Sequence, residues 1–290
     1  VLKRHYQFWF TILALHKIGA VAIPATNILK VEDYRYRIEA ANVKAVVCTA
    51  DDKIPDAMAA IDPDDKVIKV IVNGEREHFH PFDKDILSFS KEFARPTGED
   101  TVYAHDTMII MFTSGTTGKS KGVMLTQNNL ASNVEAVKIT AEPGTAMLSV
   151  LPIHHAFCLV MDWLKGFSLG ATLCINDSLL HMVRNMSIFK PDIMLMVPMM
   201  IETIYKRLAA ADPSIPKAVL AEKVFGGKLR IIFTGGAHLD PYYIDRFAEY
   251  GVEVLEGYGM SECSPVISNN TPENHKKGSI GKPLENVEIR

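Results

Sequence analysis

The sequence predicts an α/β fold in which parallel β-sheets are flanked by helices, and three observations predict it. Short β-rich runs recur along the chain with stretches of helical spacing between them, the pattern of strands covered on both faces. The 290 residues are 48% hydrophobic and 22% charged, enough apolar material for a sizeable core in one large domain or two medium ones. One apolar run empties into a loop of glycines, hydroxyls and lysines, and ligands settle at such strand ends in open parallel sheets. The 31 Lys plus Arg against 34 Asp plus Glu leave a formal charge of −3. No general basic field draws the chain to nucleic acid, so any grip on phosphate must come from a local device.

The elements follow in order. Residues 8–15 are an apolar run after Lys3 and Arg4, with Ala20, Val21 and Ala22 behind it, an outline shared with signal peptides. His16 and Lys17 interrupt the run and the chain opens on Val1, so it reads as an internal helix whose beginning has been cut away. No run approaches the ~18 apolar residues of a membrane span, which leaves at most peripheral membrane contact. Residues 32–41 have helical spacing, while 43–49 and 67–72 read as strands. Residues 73–101 are a charged surface excursion, whose His78 and His80 lack the partner cluster of a metal site and read as loop residues.

Strands are expected at 108–112 and at 123–125, the latter leading into a helix capped by Thr126. Others are expected at 147–151, 171–175, 193–197, 230–233 and 252–255, and Asp240-Pro241 marks a helix start. Cys48, Cys158, Cys174 and Cys263 lie far apart with no CxxC, which fits a reduced, cytoplasmic setting.

Chemistry concentrates first in the ten residues Thr113, Ser114, Gly115, Thr116, Thr117, Gly118, Lys119, Ser120, Lys121 and Gly122. They hold three glycines, five hydroxyls and two lysines. Glycines let backbone N–H groups turn toward an anion, hydroxyls donate to phosphate oxygens and lysines neutralise them. A Walker loop shares the ending Gly118-Lys119-Ser120 but needs glycine five positions earlier, where Thr113 stands.

The loop resembles the Thr-Ser-Gly-Thr-Thr-Gly-x-Pro-Lys-Gly signature of the AMP-forming adenylate enzymes, which include acyl-CoA synthetases, luciferase and the adenylation domains of peptide synthetases. Ser120 replaces the proline, at some loss of rigidity but of no donor. Three further segments carry the resemblance. Leu151-Pro152-Ile153-His154-His155-Ala156-Phe157 is similar to a family segment that places His155 near the substrate carboxylate. Thr234-Gly235-Gly236-Ala237 ends a strand, and the resemblance implies that Gly235, Gly236 and Ala237 line the adenine and acyl pocket. Glu256-Gly257-Tyr258-Gly259-Met260-Ser261-Glu262 fails the dinucleotide fingerprint at Glu262 and the hydrolase elbow at Cys263. It resembles instead the family's Tyr-Gly-x-Thr-Glu, which implies nucleotide contacts from Glu256, Gly257, Tyr258 and Gly259, with Tyr258 on adenine. It further implies that Ser261 bonds the α-phosphate and Glu262 holds Mg²⁺.

The resemblance implies activation of a carboxylic acid by ATP and then thioester formation with coenzyme A, with fatty acyl-CoA synthetases as the nearest branch. Met161, Met194, Met196, Met199 and Met200 suit either an alkyl pocket or a core. An amino-acid or aryl-acid adenylating enzyme and a non-catalytic nucleotide-binding scaffold are the alternatives, and Asp162 is the residue that an amino-acid reading would use. The resemblance also implies that residues 1–290 are part of a large N-terminal domain built of two α/β subdomains, with a boundary within 105–225. The C-terminal lid, its catalytic lysine and the ribose-binding aspartate would lie outside them, so these residues alone would not turn over.

Overall fold

The computed structural model describes residues 1–113, 118 and 120–290. Ser114, Gly115, Thr116, Thr117 and Lys119 of the predicted phosphate loop lie outside the described residues. The chain divides into two compact units, Val1–Phe112 and Thr113–Arg290.

The first unit runs α1 (Tyr6–Lys17), α2 (Val31–Ala40), β1 (Ala45–Thr49), α3 (Ile54–Ile61), β2 (Ile68–Val72), β3 (His80–Pro81), α4 (Phe82–Asp85) and β4 (Thr107–Thr113), whose last residue belongs to the second unit. Strands β1, β2 and β3 pair in parallel, and Tyr34, Cys48, Ile54 and Met58 fill the core beneath them. His78 and His80 face different carboxylates, Asp65 at 2.8 Å and Asp85 at 3.5 Å, in an exposed segment. No helix among the described residues is long and apolar enough to cross a membrane.

Helix α1 buries Phe8, Trp9, Ile12 and His16, one face of a helical wheel. Neither ring nitrogen of His16 finds a hydrogen-bond partner, and burial pushes its pKa from the ordinary 6.5 down to about 4. Because the unfolded chain takes up this proton first, stability should fall as pH drops from 6.5 toward 4 and level off below. The contribution is about 3 kcal/mol. Denaturant midpoints measured across that window should show the slope, and His16→Phe should remove it.

The second unit continues with β5 (Lys121–Thr126), α5 (Gln127–Ala136), β6 (Ala146–Ser149), a π-helix (Phe157–Leu164), α6 (Lys165–Ser168), β7 (Thr172–Ile175), α7 (Met182–Phe189), β8 (Ile193–Met196) and α8 (Pro198–Ala209). It ends with α9 (Lys217–Phe225), β9 (Ile231–Thr234), α10 (Pro241–Ala248), β10 (Glu253–Gly259), β11 (Val266–Asn269) and β12 (Lys282–Pro283). Two helix starts are set locally. The Thr126 hydroxyl accepts the Asn129 N–H while the Asn129 side chain accepts the Thr126 N–H, and Asp240 caps α10 through the Tyr242 N–H ahead of Pro241.

The main sheet has the order β12-β11-β10-β9-β8-β6-β7. The five strands from β10 to β7 are parallel, and β11 and β12 add antiparallel pairs at one edge. Alternation along the strands divides the two faces. Leu148, Met194, Met196, Ile232 and Val254 point into a core closed by Met186, Ile201, Ile204, Phe225 and Phe247 from α7 to α10. On the opposite face Ser149 meets the π-helix, donating its hydroxyl to Asp162 at 2.9 Å. The segment around Asp162 is a π-helix, and the acid is buried under the sheet. Strand parity in β8 and helix facing in α8 sort the methionines. Met194 and Met196 are core, Met200 packs against it and Met199 is exposed.

Candidate active site at the strand ends

Strand β6 has β7 on one side and β8 on the other, so the chain's direction of travel across the sheet reverses between β6 and β8. Connections leaving at such a point diverge and open a crevice beyond the carboxyl ends of the strands. A cavity of about 340 Å³ lies there. After β6 it is lined by His155, Phe157 and Met161, and at the end of β8 by Leu195 and Val197. Strand β9 contributes Phe233 and Thr234, with Gly235 and Gly236 just after it, and β10 contributes Leu255, Gly257, Tyr258 and Gly259, followed by Ser261. Val137 and Ile139, just past α5, and Asn269 of β11 complete the wall.

Strand β10 makes this opening possible by changing partners. Residues 253–256 pair in parallel with β9, and residues 257–259 pair antiparallel with β11, with a register shift between Tyr258 and Gly259. The change of partner brings backbones together where side chains would not fit. A Cβ on Gly235 would stand 3.0 Å from the Gly257 carbonyl oxygen, and one on Gly259 would stand 2.0 Å from that of Pro265. These glycines thus leave bare amide groups along the wall.

Of the residues singled out from sequence, His155, Gly235, Gly236, Gly257, Tyr258, Gly259 and Ser261 meet around this one cavity. Ala237 is exposed on the loop after β9. Glu256 does not line the cavity. Burial raises the pKa of its carboxyl, whose Oε2 is buried without a hydrogen-bond partner. Thr113 ends β4, Gly118 and Lys121 are exposed, and β5, which carries Lys121, packs beside the Ser261–Cys263 turn that carries Glu262. Desolvation by the apolar wall lowers the pKa of His155, which favours the neutral ring near pH 7. Tyr258 keeps an exposed ring at the cavity, a surface on which a base can stack.

Glu262 is exposed, and the described residues hold no cluster of three potential metal ligands. One carboxylate beside a polyphosphate fits Mg²⁺, which takes one or two carboxylates and completes its shell with phosphate oxygens and water. The donor set does not fit a closed, all-protein metal cage.

Sequence reasoning missed Val137, Ile139, Leu195 and Asn269. Each is an ordinary apolar or amide residue in its own segment, and only the strand order brings it to the cavity. Asp162, the residue an amino-acid reading would need, is held by Ser149 beneath the sheet and is not among the lining residues.

Comparisons with known proteins agree with this architecture. A profile of the AMP-binding enzyme family matches residues 1–290. Long chain acyl-CoA synthetase 7, peroxisomal, of Arabidopsis thaliana is 25% identical over 315 aligned positions, covering 93% of this chain and 45% of that protein. The chain therefore spans less than half of that relative. The anthranilate CoA ligase AuaEII, solved with anthranoyl-AMP, superposes with a TM-score of 0.84 at 18% identity, covering 98% of this chain and 54% of the other, a likeness of fold. ATP-bound MatB from Rhodopseudomonas palustris superposes with a TM-score of 0.76 at 26% identity, covering 94% and 51%.

Proposed function

The chain belongs to the family of AMP-binding enzymes, and on that premise we propose that the protein activates a fatty acid with ATP and passes the acyl group to coenzyme A. In the first step a carboxylate oxygen attacks the α-phosphorus and pyrophosphate leaves. In the second the thiol sulfur attacks the acyl carbon, AMP leaves and the thiol proton is released. The observation that carries this reading is the character of the cavity. Its described lining is largely apolar, contains no carboxylate, and includes the bare backbone of Gly235, Gly236, Gly257 and Gly259 beside Tyr258 and Ser261.

Both reactants of the first step are anions, so the principal barrier is bringing like charges together. In this reading Ser261 donates to the α-phosphate, Tyr258 orients the base, and the Thr113–Lys121 loop would supply backbone, hydroxyl and ammonium donors for the remaining phosphate oxygens. Neutral His155 offers the incoming carboxylate a ring N–H without competing for the ATP phosphates. A magnesium ion held by Glu262 would neutralise charge on the phosphates when bound. The apolar wall formed by Met161, Leu195, Val197 and Phe233 would take the acyl chain. An amino acid would leave its ammonium unpaired against that wall, which costs several kcal/mol.

Pyrophosphate release by the full-length protein across fatty, aromatic and amino acids tests the assignment. Turnover restricted to fatty acids is the expected result, an aromatic preference would reassign the substrate, and silence with every acid would favour a nucleotide-binding scaffold. Val197→Phe adds bulk at the cavity wall. It should raise KM for the acid by about tenfold while leaving KM for ATP unchanged, as measured by initial rates.

A further inference from the structure

The turn that carries Ser261 and Glu262 is shaped by its own backbone. The Met260 N–H donates to the Pro265 carbonyl at 2.8 Å, the Cys263 N–H to that of Met260 at 3.0 Å, and the Ser264 N–H to that of Ser261 at 3.2 Å. All three bonds lie within residues 260–265, so they set the form of the turn but not its place in the molecule.

A tie from elsewhere comes from α5. Asn133 is only 4% exposed, and its side-chain amide is spent on this turn. The NH₂ donates to the Val266 carbonyl at 2.8 Å and to that of Cys263 at 3.4 Å, and the amide oxygen accepts the Val266 N–H at 3.2 Å. Asn133 thus meets both polar groups of one residue as a neighbouring strand would, across 133 positions of sequence. Helix α5 is a suitable carrier. It begins at the Thr126 cap that ends β5, the strand bearing Lys121, and its Val134 carbonyl accepts the buried Lys165 ammonium at 2.9 Å.

We infer that Asn133 is a positioning residue for the nucleotide, holding the 260–266 turn where Ser261 and Glu262 can meet phosphate. This rests on the nucleotide reading above. Asn133 itself touches no reacting group, and its side chain is aimed at main-chain atoms.

The test uses the full-length protein with MgATP alone as the calorimetric probe, and hydrogen exchange over residues 260–266. Asn133→Ala should speed exchange in that segment and weaken MgATP binding by about tenfold, the cost of one or two buried hydrogen bonds. Asn133→Asp should bind poorly near neutral pH, because a carboxylate faces two carbonyl oxygens. It should recover relative to wild type as the pH is lowered, because the protonated acid again offers one donor and one acceptor. A merely structural residue would not produce that recovery of affinity, and this variant carries the test if Asn133→Ala does not fold. Wild-type binding with equal affinity in Asn133→Ala, or exchange unchanged in 260–266, would overturn the inference alone. A wild-type protein that binds no MgATP would overturn the nucleotide reading and this role with it.

Discussion

Glu262→Gln in the full-length protein is expected to lower kcat/KM for adenylation by about two orders of magnitude. Glutamine keeps the volume and the turn, and the side chain is exposed, so thermal stability should hardly change. What it removes is the negative charge that would hold Mg²⁺ against the phosphates, since a neutral amide is a poor partner for a hard divalent cation. The loss should be partly recovered at higher Mg²⁺ concentration, and that recovery marks a metal role rather than a general disturbance. Steady-state rates over a magnesium series check it. An unchanged rate at low magnesium would remove Glu262 from the site.

Gly259→Ala should be a severely damaging single methyl beside the cavity. The new Cβ would lie 2.0 Å from the Pro265 carbonyl oxygen, 2.9 Å from its carbon and 3.1 Å from the Val266 Cα, all main-chain atoms. No flexible side chain can swing aside, so the turn has to move and the bond from the Met260 N–H to that carbonyl must stretch or break. A cost of about 3 kcal/mol is expected, together with loss of MgATP binding, because Ser261 and Glu262 ride on the displaced turn. Chemical denaturation and calorimetry on the same variant check both parts. By contrast, Gly118→Ala faces no atom within 4 Å, although its φ of +96° still disfavours a side chain.

Several elements were legible because their signals are local. The helix starts at Thr126 and Asp240 are written in the capping residues themselves, and both caps form. The strands at 68–72, 172–175, 193–196 and 231–234 begin or end within about two residues of their apolar runs. Other features carry no local mark. Strand β11 and its antiparallel pairing were not among the expected elements, because its register is set by Gly257 and Tyr258 on another strand. The π-helix over Phe157–Leu164 has the composition of any buried helix, and no residue in it marks the wider turn. The methionines at 194 and 196 were ambiguous for a related reason: composition allows an alkyl pocket, but the parity of β8 turns both into the helical core and leaves Leu195 and Val197 to the cavity.

From residues alone it was determined that this chain alternates strands with helices and ends several strands in glycines, hydroxyls and one acid, which is enough to name the family. Tertiary structure decided which strand ends stand side by side, and hence that His155, Gly235, Tyr258 and Ser261 share one cavity while Asp162 is withdrawn from it. The reason is range. Caps and periodicity are energies of neighbours within a few positions, whereas strand order, partner exchange in β10 and the reach of Asn133 to Val266 are contacts between residues far apart in sequence, whose free energy exists only once the sheet is assembled.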